Sequence, residues 1–273
     1  MRHVITAFKE HKEFKRERHW DANILQFQKD VITPPHYADT IEIIVNHGAE
    51  GDIYIDGKHC KLSQHLAYFI PPNAIHSMQY QKNDGYISIL KINHLTLKKH
   101  LNLETVLETA ECSFDMLPQY IDDSNAVKIL EESFFKSESL FDVSISILQF
   151  FHRMCKSCAH EHNRAVLNKK DNLRRLIEWT EQNYMNNPTL EEAASIFGYS
   201  KNYFCQKFRA TTGVTYVSYL NCVRINHACS ELKKGRSITD ICYSCGFVNP
   251  SYFIKLFRSV VGITPMKYMS HEE

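Results

Sequence analysis

At 273 residues and a formal net charge of +1, the chain has room for two domains, each with its own core. No apolar run is long enough to span a bilayer, and the polar start Met1-Arg2-His3 lacks the form of a secretory leader. A membrane span and a secreted framework are thereby excluded, and a cytoplasmic protein is expected. The charge is unevenly placed: residues 164–273 hold 15 Lys and Arg against 9 Asp and Glu, while residues 1–163 hold 17 against 22. A basic C-terminal half behind a mildly acidic N-terminal half suits attraction to DNA confined to one domain.

In chain order, residues 31–92 predict at least six short strands. Ile41 to Val45 is a β-rich run. Ile53-Tyr54-Ile55, the turn dipeptide Asp56-Gly57, and Lys58 to Leu62 predict a hairpin with a type I′ turn. Tyr68-Phe69-Ile70 is stopped by Pro71-Pro72, and Met78 to Tyr80 and Tyr86 to Ile92 follow. Short strands with regular turns and no helical spacers predict a sandwich or small barrel.

Two helices are expected next, over Asn125 to Phe135 and over Phe141 to Cys158. The second carries Val143, Ile147, Leu148, Phe150, Phe151 and Met154, more apolar surface than one barrel face covers. His160 to Asp171 is polar, without periodic apolar residues, and is expected to be a linker. The first helix of the C-terminal half is expected over Leu173 to Tyr184. The nine cysteines are scattered and are expected to be reduced thiols. Cys242 and Cys245 fall where small apolar residues belong. Cys155 and Cys158, with His152, His160 and His162 nearby, have the ligand types of a soft-metal cluster. No second pair follows at zinc-finger spacing, so ordinary thiols are the simpler reading.

From Thr189 the chain contains one unit twice, as Thr189 to Arg209 and Ser237 to Arg258. Gly198-Tyr199 answers Gly246-Phe247, and Tyr203-Phe204 answers Tyr252-Phe253 one residue later in register. Each copy has the grammar of a helix-turn-helix. Thr189 and Ser237 are placed to cap a first helix, and Gly198 and Gly246 to make the turn. Ser200 and Asn249 are placed to cap a second helix, with Pro250 at a position where its missing donor costs nothing. Tyr203, Phe204 and Phe208 are expected on one side of the first such helix. Thr215 to Lys234 predicts a single long helix joining the copies, with Val217, Leu220, Val223, Ile225 and Leu232 on or near its buried stripe.

This C-terminal region closely resembles the DNA-binding domain of the AraC/XylS family of bacterial transcription regulators. The residues that carry the resemblance are Arg224-Ile225, Ala228, Leu232, Ile238, Ile241, Gly246-Phe247, Ser251-Tyr252-Phe253, Phe257, Gly262 and Thr264-Pro265. Lys207 departs from it, at a position usually apolar in the family; its stem can pack while the ammonium reaches out. The order of elements in residues 31–92 resembles the cupin-type effector domain of many AraC/XylS relatives. That resemblance rests on Pro35-His36-Tyr37, Glu42, Gly48, the Asp56-Gly57 hairpin and Ile70-Pro71-Pro72 with His76.

The expected architecture is therefore α+β with two domains. Residues 1–160 form a cupin-like β-barrel with two helices, 161–171 a linker, and 172–273 an all-α domain of two helix-turn-helix units joined by a long helix. The resemblance implies a transcription regulator, with activation leading repression and sugar or small-metabolite catabolism as its setting. It further implies promoter DNA, a small-molecule effector and RNA polymerase as partners, and a homodimer through the helix that begins near Phe141. Asn202, Cys205 and Gln206 in one reading helix and Ser251, Ile254 and Lys255 in the other are expected to face bases. Ser200, Lys201, Arg209, Asn249 and Arg258 are expected to meet phosphates.

His36, Glu42 and His76 are expected to converge on the effector site, with Tyr54 and Phe69 as apolar walls. Metal-binding cupins use a His-x-His pair with a Glu and a later His, and here Pro34 stands where the pair's other histidine would be. No metal, cofactor or catalysis is therefore expected. The alternatives are a metal- or thiol-responsive sensor and a cupin metalloenzyme fused to a DNA-binding module.

Overall fold

The computed structural model describes residues 22–27, 31–81, 85–93, 97–99, 101–114, 117–123, 125, 127–130, 132, 140–156 and 167–270. Among the described residues the N-terminal half contributes nine strands: β1 (Ala22–Phe27), β2 (Val31–His36), β3 (Thr40–His47), β4 (Glu50–Ile55), β5 (Lys58–Leu62), β6 (Ala67–Ile70), β7 (His76–Gln81), β8 (Tyr86–Asn93) and β9 (Tyr120–Ile121). They make a five-stranded sheet in the order β1-β8-β3-β6-β9 and a four-stranded sheet in the order β2-β7-β4-β5. Among the described strands no ladder joins the two sheets, so the expected barrel is an open sandwich. Alternation along a strand says that one face is buried, which a sandwich and a barrel share.

Strand β3 is buried from Ile41 through Asn46 because both its faces are covered. Ile41, Ile43 and Val45 pack with Phe69, Leu90 and Ile92 on one side against helix α2 (Leu140–Lys156), which supplies Ile147, Phe150, Phe151 and Met154. Ile44 faces the other way, into the space between the sheets, with Ile53, Ile55, Ile70, Met78 and Ile89. Burying each such side chain contributes roughly 1.5–3 kcal/mol. A short helix α1 (Leu103–Thr109) closes the first cluster through Leu103 and Leu107. The hairpin between β4 and β5 turns at Asp56 and Gly57, both with positive φ, as the turn type requires.

The helical half contains α3 (Leu167–Asn183), a 3-10 turn (Tyr184–Asn186), α4 (Leu190–Phe197), α5 (Lys201–Thr212), α6 (Tyr216–Leu232), α7 (Ile238–Ser244), α8 (Pro250–Val261) and α9 (Pro265–Ser270). Helix α3 begins six residues before the expected start, so residues 167–171 are helix and not linker. A helix can run on through polar residues such as Asn168, Lys169 and Lys170, which carry no apolar periodicity to reveal it. Each helix-turn-helix has its own core. Phe197, Phe204 and Phe208 organise the first, and Phe247, Phe253 and Phe257 the second. Helix α6 lies in both: Tyr216, Tyr219 and Val223 belong to the first core, and Ile225, Ala228, Cys229 and Leu232 to the second. Val217, expected on the buried stripe, is half exposed.

Candidate functional site

The local chemistry of each turn sets out two reading helices. Thr189 accepts from the Glu192 N–H while the Glu192 side chain accepts from the Thr189 N–H, a complete capping box at the start of α4. Gly198 ends α4 in the left-handed region, and α5 begins at once. In the second unit Ser237 caps α7, and Asn249 caps α8 with Pro250 at its first turn. Ser200 has the extended backbone of an N-cap, but its side chain makes no capping bond. Backbone shape alone gives it that place.

The two second helices turn polar surfaces to solvent. Lys201, Asn202, Gln206 and Arg209 are exposed on α5, and Ser251, Ile254, Lys255 and Arg258 on α8. Ser200 and Asn249 are exposed at the helix starts, whereas Cys205 is half-buried against the first core. Lys207 is half-buried, as a packed stem requires. Lys201 pairs with Glu191 at 2.7 Å, an exposed ion pair that a phosphate can displace at little cost. Tyr203, read from spacing as a packing residue, and its counterpart Tyr252 are each 50% exposed. Tyr203 rests edge-on against Tyr199, and the Tyr252 hydroxyl accepts from Asn221 Nδ2 at 3.2 Å. A half-buried tyrosine keeps apolar helical spacing while its hydroxyl end stays wet, so spacing alone missed Tyr203 as a surface group.

The joint between the two units is built on Arg224 of α6. Its Nε donates to the Tyr184 carbonyl and its Nη2 to Asn187 Oδ1, both at 2.9 Å. The guanidinium lies 5.5 Å from the Phe247 ring centre. Gly246 fits this corner on two counts: its φ is +83°, and a Cβ there would stand 2.9 Å from the Tyr184 carbonyl oxygen and 3.0 Å from Arg224 Nη2.

A second polar constellation lies in the sandwich. Glu42 and His76 are buried, on the inward faces of β3 and β7, and His36 ends β2 beside them. The His36 and His76 rings are 4.1 Å apart and tilted by 55°. His76 Nε2 stands 3.5 Å from Glu42 Oε2, while Glu42 Oε1 accepts from Lys91 at 2.8 Å and from Thr40 at 3.2 Å. Burial alone would raise the Glu42 pKa, but Lys91, helped by His76, holds the carboxylate well below its usual range. Burial, with His76 and Lys91 as neighbouring charges, pushes His36 down to about 3, so it is neutral at physiological pH. Lys91 carried no signal in the sequence; it reaches Glu42 because the two face each other across the β3–β8 ladder.

Tyr54 and Phe69 do not line this chamber. Phe69 alternates with Glu42's neighbour Ile70 and packs on α2, against Phe151 and Phe114. Tyr54 alternates with the inward Ile53 and Ile55, and so lies on the outer face of the four-stranded sheet. The proposed cluster around Cys155 includes Cys158, His160 and His162, which fall outside the described residues.

The outer face of that sheet meets the first helix-turn-helix. Ser77 Oγ donates to the Thr212 carbonyl at 2.5 Å, and Gln79 Nε2 to the Gly213 carbonyl at 3.0 Å. The Tyr54 ring covers Gly213, where a Cβ would come within 2.5 Å of it; φ there is +78°, so glycine is required twice over. Ile75 is buried in the first helical core. Tyr37 donates to Glu178 at 2.8 Å, and Arg174 lies over the Tyr37 ring while donating to the Asn73 carbonyl at 2.7 Å.

The tandem architecture has counterparts among known proteins. The helix-turn-helix domain family matches residues 193–271. A transcriptional activator, RhaS of Mannheimia succiniciproducens, is 26% identical over 246 residues, covering 86% of this chain and 88% of that one. These matches make the chain similar to transcription regulators of the AraC/XylS family. A second relative in sequence, the regulator YdeC of Bacillus subtilis, is 24% identical over 148 residues. That match takes in 53% of this chain and about half, 51%, of YdeC. Among solved structures, ToxT of Vibrio cholerae aligns over 91% of this chain and 97% of its own, at 14% identity and a TM-score of 0.43. The sequence relatives of this chain are transcription regulators. Among the described residues no helix is long and apolar enough to cross a membrane.

Proposed function

We propose that this regulator is a ligand-responsive activator of a catabolic operon in the cytoplasm. Residues 1–160 bind a small-molecule effector and dimerise, 161–171 connect the two halves and end in the first turn of α3, and 172–273 read promoter DNA and meet RNA polymerase. The observation that carries the proposal is the alternation along β7. His76 points into the chamber, while its neighbours Ile75 and Ser77, and Gln79 beyond, are seated on the first helix-turn-helix. His36 repeats the arrangement, because the next residue, Tyr37, contacts α3. An effector that draws the two histidines together favours one seating of the sandwich on α5, which is what a population shift requires. The RhaS relative, an activator, gives the direction of control. Phe141 on α2, 72% exposed, with Ile145 one turn later, is the apolar surface a dimer would cover.

The chamber is tested with Glu42→Gln in a thermal-shift screen of sugars and related metabolites. An effector at a hundred times its dissociation constant should stabilise the parent chain by about 2.7 kcal/mol. The variant should lose that shift and the effector-dependent change in transcription, with DNA binding by the C-terminal half unaltered. An unchanged dissociation constant would make the triad structural.

On DNA, α5 and α8 are proposed to enter successive major grooves, with half-elements about one turn, ~10 bp, apart. Asn202, Gln206, Ser251, Ile254 and Lys255 then face bases, and Ser200, Lys201, Arg209, Asn249 and Arg258 face phosphates. Cys205 contributes less, being half turned into the core. Gln206→Ala should cost roughly 1–3 kcal/mol on the preferred site and relax the base choice there. Equal weakening on all sequences, measured by competition with random DNA, would move Gln206 to the phosphate-binding set.

A further inference from the structure

Given the proposed entry of α8 into a major groove, on which the assignment rests, we infer that the second helix-turn-helix selects thymine. It does so by contact of the Val248 and Ile254 side chains with thymine 5-methyl groups, whereas the first unit selects by hydrogen bonds. The second turn is one residue longer than the first. Gly198-Tyr199 is followed at once by the cap Ser200, while Gly246-Phe247 is followed by Val248 and only then by the cap Asn249. Val248 is 81% exposed, more than any other large apolar side chain among the described residues, and Ile254 is 39% exposed. Neither belongs to the second core, which Phe247, Phe253 and Phe257 fill from the same stretch of chain.

Both are placed where bases are read. Ser251, Ile254, Lys255 and Arg258 recur at three- and four-residue spacing and are all exposed, so they share one outward face of α8. Val248 precedes the cap, at the N-terminal end of the helix, which is the end that reaches base edges in a helix-turn-helix. In the register of the repeat, Asn202 of α5 answers Ser251, Cys205 answers Ile254 and Gln206 answers Lys255; Val248 has no counterpart. Where α5 presents two amides, this surface presents a hydroxyl, an ammonium and two hydrocarbon groups. An Asn or Gln amide pairs with adenine through N6 and N7. A branched alkyl group neither gives nor takes a hydrogen bond. Set against guanine or cytosine, it strips water from donors and acceptors and replaces none of it. The thymine methyl is the one apolar group that the base pairs present in the major groove, and contact with it removes water from both partners. Valine and isoleucine are also stiff at χ1, so little rotamer freedom is lost on contact.

The test uses the full-length chain at low salt, where phosphate contacts hold the complex most strongly. Its preferred duplex is selected from random DNA. Each thymine of that duplex is then replaced singly by deoxyuridine, which removes the 5-methyl group and leaves the pairing edge unchanged. Competition binding is measured for the parent, Val248→Ala, Ile254→Ala and Asn202→Ala chains. At one or more thymines of a single half-element, loss of the methyl should weaken the parent roughly three- to fivefold, the scale of one buried methyl group. Each such penalty should disappear in the alanine variant of the side chain that makes the contact and persist in Asn202→Ala. Both side chains are exposed, so thermal midpoints of their variants should match the parent's. A site without methyl-dependent thymines, or penalties that neither Val248→Ala nor Ile254→Ala alters, would overturn the inference and leave the proposed DNA reading standing. Failure to select any sequence would overturn both. Unchanged DNA binding with loss of the transcriptional response in the same two variants would assign the patch to a protein partner, and that too would overturn the inference.

Discussion

Arg224→Met should destabilise the helical half by about 2–4 kcal/mol and weaken DNA binding at sites that need both reading helices. The estimate comes from opposing terms. Hydrogen bonds made by a charged group each contribute roughly 1.5–3 kcal/mol. Burial of the guanidinium offsets part of that, and burial also lowers its pKa. What remains is large because the two bonds end on one segment. Tyr184 and Asn187 belong to the connection between α3 and α4, and Asn187 holds the left-handed region there with φ 50°. Arg224 therefore fastens α6 to the first unit at the point where Gly246 and Phe247 bring in the second. Lysine should not rescue, since an ammonium cannot reach two acceptors in a fork and lie flat on a ring. Urea unfolding of parent, Arg224→Met and Arg224→Lys chains measures the cost. A change within about 0.5 kcal/mol for both variants would show that the joint is held by apolar packing alone.

Much of this architecture is legible in the sequence because its strongest signals are local. A cap, a glycine and an apolar pair determine a helix-turn-helix within some twenty residues, and the pattern occurs twice. Thr189, Ser237 and Asn249 make the capping bonds expected of them. The Asp56-Gly57 hairpin and the run at Ile41 are equally local. What escaped is non-local. Strand β2 contains Pro34 and Pro35, which remove ladder donors; it survives as an edge strand with a register shift between Thr33 and His36. Strand β9 is two residues long and exists only because β6 lies beside it. The same limit separates the chamber's residues. His36, Glu42 and His76 come together from β2, β3 and β7, as the resemblance implied. Phe69 and Tyr54 were misplaced since alternation gives two faces without saying which is inner. Lys91 and the seating of Ser77 on Thr212 needed the sheet register and the packing of two cores, neither of which a single strand encodes.

Asn221→Pro should abolish specific binding to a two-element site while the sandwich stays folded. Asn221 is near the middle of α6, between Tyr219 of the first core and Val223 and Ile225, where the helix passes into the second. Proline there removes the bond to the Val217 carbonyl and pushes its ring against that carbonyl, at a cost of about 3 kcal/mol or more. The helix must then kink or break. Either change rotates α8 relative to α5, and two helices that must enter successive grooves tolerate little rotation. The substitution also removes the Asn221 amide from the Tyr252 hydroxyl, a direct tie from the connecting helix to the second reader. Asn221→Ala separates the two effects, since it loses the tie and keeps the helix. Footprinting on one promoter fragment should show both half-elements protected by the parent chain, both protected more weakly by Asn221→Ala, and at most one by Asn221→Pro. Protection of both by the proline variant would mean that α6 is no rigid spacer and that each unit finds its groove independently. Equal loss in the alanine variant would shift the weight from the rod to the tie, making the bond between Asn221 and Tyr252 the element that sets the second helix on DNA.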